Sequence, residues 1–119
     1  MKINYSKQNV TDNDIKSVVK VLKSNFLTQG PNIKLFEDKI KKIVHAKYAY
    51  AVNSATSGLH VACMSIGIAK NDIVWTSPNS FVASSNCALY CGAKIDFVDI
   101  DLKTYNLCSK KLEDKLKKT

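Results

Sequence analysis

The chain contains no arginine. All eighteen of its basic residues are lysine, set against ten acidic residues in 119, for a formal net charge of +8. Arginine carries the planar fork that reads base edges and phosphates bidentately. Without it, and with lysines scattered over helix faces, the charge describes solvated surface and not a nucleic-acid interface. The lysines of 110–118 read as one solvated helix. Long apolar runs are absent as well, so no segment is expected to span a bilayer. The opening Met1-Lys2-Ile3-Asn4 lacks a signal peptide's apolar stretch, and a cytoplasmic protein is expected. Only four glycines occur, and neither G-x-G-x-x-G nor a Walker loop is present, which disfavours dinucleotide and nucleoside-triphosphate cradles. The four cysteines, Cys63, Cys87, Cys91 and Cys108, have no zinc spacing. They are expected as buried reduced thiols, with no metal site. Hydrophobic residues make up 45% of the chain, which argues against disorder.

What is present alternates between helix and strand patterns. Thr11 and Asp14 form a capping pair ahead of a helix with Ile15, Val18, Val19 and Leu22 on one face. Asn25 to Gly30 breaks that helix, and Pro31 restarts one with Ile33, Phe36, Ile40 and Ile43 as its stripe. On that helix, Glu37 and Lys41, and Asp38 and Lys42, have the spacing of surface ion pairs. His45 ends it. Residues 48–52 read as a strand, 55–66 as a helix of small residues, 72–76 as a second strand and 77–80 as a turn. A helix over 81–90 follows, stopped by Gly92, then a third strand over 94–100 and a last short helix marked by Leu112 and Leu116. This order predicts an α/β fold with a mostly parallel sheet: a helical segment over 1–46, then the first βα units over 47–119. Trp75 and Tyr90 are expected in the core, and His60 as a packed residue.

Ligands of parallel sheets collect at the carboxyl ends of strands. Two loops sit at such ends. In Asn53-Ser54-Ala55-Thr56-Ser57, the hydroxyls of Ser54, Thr56 and Ser57 and the N–H groups of Ala55 and Thr56 stand at a helix start, which suits a phosphate. Helix capping alone accounts for them equally well. In the second loop, Phe81 could lie flat on a planar ligand. Taken singly, it reads more simply as a core residue. Asp96, Asp99 and Asp101 alternate near a strand end, and turn and cap duties are the simpler reading of them.

The combination is more specific. Residues 53–60 (NSATSGLH), 75–83 (WTSPNSFVA), 88–93 (ALYCGA) and 96–101 (DFVDID), with Leu27-Thr28-Gln29-Gly30-Pro31, resemble the DegT/DnrJ/EryC1/StrS family over nearly the whole chain. That resemblance implies a pyridoxal-phosphate (PLP) sugar aminotransferase of the aspartate-aminotransferase fold, whose large domain is a three-layer αβα sandwich. Within the family the chain is most similar to enzymes that aminate a UDP-linked 4-keto-6-deoxy-N-acetylhexosamine from glutamate, as in pseudaminic acid biosynthesis. It implies Ser54, Ala55 and Thr56 at the PLP phosphate and Phe81 on the pyridine ring. It also implies Tyr5, Asn25, Phe26, Leu27, Thr28 and Ala55 at the sugar substrate, and a homodimer with sites at the subunit interface.

In the family, the Schiff-base lysine and the carboxylate at the pyridine nitrogen come from later segments, and no lysine here stands in that context. The expectation is an N-terminal piece, inactive alone, with no catalytic residue of its own and with the first strand lacking the neighbours that family members place beside it. Two other readings stay open: the corresponding part of a PLP-dependent sugar dehydratase, and a small non-catalytic α/β module that binds phosphate or PLP.

Overall fold

The computed structural model describes residues 6–118, and the chain divides into two compact units, Met1–Ala51 and Val52–Thr119.

The first unit holds two amphipathic helices. Helix α1 (Asp12–Leu22) begins at a reciprocal capping box. The Thr11 N–H donates to the Asp14 carboxylate at 2.7 Å, and the Asp14 N–H donates to the Thr11 hydroxyl at 3.4 Å. Helix α2 (Pro31–Val44) carries Pro31 at its first position, where a missing N–H loses nothing. It ends at His45, which takes the left-handed conformation at φ 53°.

The apolar stripes expected to face a core do not find one in this unit. Among the described residues α1 and α2 do not pack on each other, and Ile15, Val18, Leu22, Phe36 and Ile43 are all more than half exposed. An apolar stripe is buried only where a second apolar surface opposes it, and the described residues of the unit supply none. The ion pairs also differ from the expected spacing. Asp38 pairs with Lys34 at 3.0 Å and Lys41 at 3.4 Å, not with Lys42. Glu37 instead accepts the N–H of Ala51 at 2.9 Å.

That amide belongs to residues 48–52, expected as a strand. They form none, because no strand among the described residues lies alongside to make a ladder. A side chain satisfies the amide instead.

The second unit runs α3 (Ala55–Ser65), β1 (Ile73–Thr76), α4 (Ala83–Tyr90), β2 (Lys94–Phe97) and α5 (Ser109–Leu116). β1 and β2 pair in parallel, with Ile73 opposite Lys94 and Thr76 opposite Phe97. Two expected boundaries move by two residues or more. The third strand stops at Phe97, and Ile100 turns to bridge Leu107 in antiparallel sense. Helix α4 starts at Ala83 with Val82 as its cap, so Phe81 lies in the connection before it.

Helix α4 packs on α3 and on both strands. The buried set is built from small residues: Ala83, Cys87 and Ala88 of α4, with Ala93 and Val98. Small side chains let helix and sheet approach closely. Tyr90, expected in the core, is half exposed and meets His60 edge-on at 5.2 Å between ring centroids. Trp75 is partly exposed. Its Nε1 is buried with no hydrogen-bond acceptor among the described residues, while the Lys115 ammonium lies 4.9 Å from its ring centroid. Lys115 also donates to the Phe97 carbonyl at 2.9 Å and pairs with Asp96, and Lys111 pairs with Asp99 at 2.6 Å. These contacts hold α5 beside β2.

Helices α3 and α4 end in the same way. Gly67 and Gly92 adopt φ 79° and 77°, the left-handed region that glycine enters without a Cβ penalty. Each closes a paired turn. Gly67 and Ile68 donate to Met64 and Cys63, and Gly92 and Ala93 donate to Leu89 and Ala88. Each chain then enters a strand at its amino end. Gly92 also comes close to Lys70, whose Cα lies 3.9 Å from the position a Cβ on Gly92 would take. The carboxyl ends of α3 and α4 therefore meet at the amino edge of the sheet. Residues 77–82 and the start of α4 stand at the opposite, carboxyl edge.

Candidate cofactor and substrate site

The first candidate loop is a capped helix start. Ser54 stands extended at φ −158° and ψ 157°, and its hydroxyl accepts the Ser57 N–H at 3.1 Å. The two hydroxyls lie 3.0 Å apart, and the Ser57 hydroxyl donates to Asn53 Oδ1 at 2.8 Å. Ser57, read from sequence as a free hydroxyl, is thus committed to Asn53. Asn53 is the residue the sequence reading missed as an organiser of this loop; an amide side chain four residues before a serine was its only signal. Ala55 and Thr56 occupy the first two helical positions, where no carbonyl of the helix can reach their N–H groups. Two donors at the positive end of a helix dipole therefore remain available for an anion.

The second loop leaves β1 at Thr76. Ser77 Oγ accepts the Asn79 N–H at 3.2 Å, and the Ser80 and Ser84 hydroxyls lie 3.0 Å apart, tying the loop to the first turn of α4. Phe81 is 74% exposed. It is not a core residue.

The third group lies in the first unit. Asn25, Phe26, Leu27 and Thr28 form the connection between α1 and α2, with Phe26 and Leu27 both well exposed. A cavity of about 430 Å³ beside this connection is lined by Lys20, Ser24, Phe26 and Asn32 among others. Tyr5 lies outside the described residues.

The titratable groups nearby serve structure. Asp101 accepts the Thr104 and Lys103 N–H groups, each at 2.9 Å, and these bonds hold its carboxyl below the usual carboxylate range. Hydrogen bonds from Lys115 and Lys111 do the same for Asp96 and Asp99. Turn and pairing duties thus account for all three. Burial, with a hydrogen bond to Cys87, pushes the Cys63 thiol up, so it stays protonated and is a poor nucleophile. Among the described residues no group of histidine, cysteine and carboxylate side chains could hold a metal ion, and no helix is long and apolar enough to cross a membrane.

The α/β architecture of the chain is that of the corresponding part of solved PLP-dependent aminotransferases. A protein from Streptococcus pneumoniae assigned as a sugar aminotransferase, solved in PLP and PMP forms, matches with a TM-score of 0.91 at 26% identity. The match covers 96% of this chain and 29% of that one. Helicobacter pylori PseC, an aminotransferase of pseudaminic acid biosynthesis, matches with a TM-score of 0.86 at 33% identity, over 96% of this chain and 31% of PseC.

The chain belongs to the DegT/DnrJ/EryC1/StrS aminotransferase family, whose profile matches residues 8–119. A Campylobacter jejuni relative, UDP-4-amino-4,6-dideoxy-N-acetyl-beta-L-altrosamine transaminase, is 43% identical over 116 residues, 98% of this chain and 30% of the relative. The chain thus spans less than a third of the relatives it matches. The cofactor that goes with this family and these PLP- and PMP-form neighbours is pyridoxal phosphate.

Proposed function

We propose that this chain forms the cofactor-phosphate and sugar-facing part of a PLP-dependent nucleotide-sugar aminotransferase. The reaction moves an amino group from glutamate to a UDP-linked 4-keto-6-deoxy-N-acetylhexosamine, in pseudaminic acid biosynthesis in the cytoplasm. The names of the Campylobacter and Helicobacter relatives support the sugar class. One observation carries the cofactor assignment: the Ser54-capped start of α3 leaves the Ala55 and Thr56 amides without helical partners.

The residues present fit the group. The amides of Ala55 and Thr56 would donate to its phosphate, and the Thr56 hydroxyl would add a further donor. Ser54 holds the turn that aims both. Phe81 would cover one face of the ring. When bound, pyridoxal phosphate supplies an electron sink that lets an amine pass between donor and sugar. The family resemblance gives a sugar-contacting role to Asn25, Phe26, Leu27, Thr28 and Tyr5 and, separately, to Ala55. The lysine that holds the cofactor covalently belongs to a later segment of the family. The functional assembly is a homodimer.

Titration of the purified chain with PLP, followed by calorimetry, tests the reading. Saturable one-to-one uptake that inorganic phosphate displaces is expected. Absence of uptake by a chain with the expected helical circular dichroism would overturn it.

A further inference from the structure

Gly30 stands at φ −81° and ψ 177°, a conformation open to any residue. Torsion does not require glycine there; proximity does. A Cβ on Gly30 would lie 2.8 Å from the Phe26 Cβ and 3.3 Å from the Phe26 carbonyl oxygen. Non-bonded carbons rest about 3.5–4.0 Å apart. The chain reaches this approach through Gln29, held at φ 50° in the left-handed region. Ser24 fixes the other side: its hydroxyl donates to the Phe26 carbonyl at 3.1 Å and accepts the Phe26 N–H at 3.4 Å. The main chain of Phe26 is pinned between the Ser24 hydroxyl and the bare Cα of Gly30. Phe26 in turn forms one wall of the cavity shared with Lys20 and Asn32.

We infer that Gly30 is a positioning residue. By carrying no side chain it lets Phe26 settle against it, and this sets the backbone of Phe26, Leu27 and Thr28. The functional half of the inference rests on the proposed role of that segment in meeting a nucleotide sugar. The structural half rests on the Gly30–Phe26 contact alone.

Amide-resolved NMR of the 119-residue chain, titrated with UDP-N-acetylglucosamine, separates the two halves. Gly30→Ala is expected to shift the amides of Phe26, Leu27 and Thr28 and to weaken uptake of the probe by about tenfold, with helical circular dichroism unchanged. Gln29→Gly, which only relaxes the left-handed residue, is expected to keep wild-type affinity. Unmoved amides in Gly30→Ala overturn the positioning role whatever the probe does. Equal affinity of Gly30→Ala and wild type overturns its functional half. A wild-type chain that takes up no probe overturns the proposed substrate role of the segment and, with it, that half only. If Gly30→Ala fails to fold, the double variant Gly30→Ala/Phe26→Gly removes the clashing Cβ and is expected to refold. A double variant as unfolded as the single one overturns the inference.

Discussion

The Ser54 hydroxyl accepts the N–H of Ser57 at 3.1 Å and leaves the two amides between them without helical partners. One contact thus starts the helix and leaves two N–H donors at its end. Ser54→Ala should destabilise the folded chain by about 1 kcal/mol, the usual worth of such a cap. Urea unfolding followed by circular dichroism measures this. PLP affinity should fall with it, because the turn that aims the amides is loosened.

Removing a single donor tests the phosphate assignment more directly. Proline is accepted at the first helical position, and the extended backbone of Ser54 suits a residue preceding proline. Ala55→Pro should therefore keep α3 intact while deleting one N–H. A hydrogen bond to a charged group contributes about 1.5–3 kcal/mol, so PLP should bind about ten- to a hundredfold more weakly. Unchanged affinity by calorimetry would place the phosphate elsewhere.

Phe81 is exposed, so its removal should leave the melting temperature within a degree or so of wild type. Phe81→Ala should lower PLP affinity about fivefold, the equivalent of roughly 1 kcal/mol of offset stacking. Phe81→Tyr should restore it, since the ring face is kept. A drop in stability without a drop in affinity would return Phe81 to a packing role.

Gly92 adopts φ 77° where α4 turns into β2. Gly92→Ala should cost about 1–2 kcal/mol, the strain of a Cβ in the left-handed region. Gly92→Asn should cost less, because asparagine tolerates that region better. Thermal unfolding of the three chains gives the order.

The carboxyls of Asp14, Asp38, Asp96, Asp99 and Asp101 are all held below their ordinary range: Asp14 chiefly by the Thr11 N–H, Asp38 by Lys34, Asp96 by Lys115, Asp99 by Lys111 and Asp101 by the Thr104 N–H. A carboxyl lowered in the folded state stabilises fully above its unfolded value, and that stability is lost as pH falls through the folded value. The melting temperature should hold from neutral pH to about 5 and fall below about 4. Asp101→Asn should make the fall shallower. A melt that improves on acidification would contradict the sign.

Most helix starts and stops were legible in the sequence, because they depend on neighbours a few residues away. The Thr11–Asp14 box, Pro31 at the head of α2 and Gly92 at the end of α4 stand where the local signals put them. The parallel pairing of β1 and β2 followed from an alternation that is also local. Residues 48–52 form no strand, in line with the expected loss of their neighbours, since a strand exists only where another supplies its ladder.

The sequence by itself determined the family, the helix caps and the residue types of both candidate loops. Each is fixed by identity and short spacing. The tertiary structure alone decided three further points. Phe81 is exposed rather than packed, Asn53 takes up the Ser57 hydroxyl, and Gly30 lies so near Phe26 that a Cβ there would clash. Exposure, hydrogen-bond choice and close approach depend on which atoms meet in space, and in these three cases the spacing along the chain did not say which would.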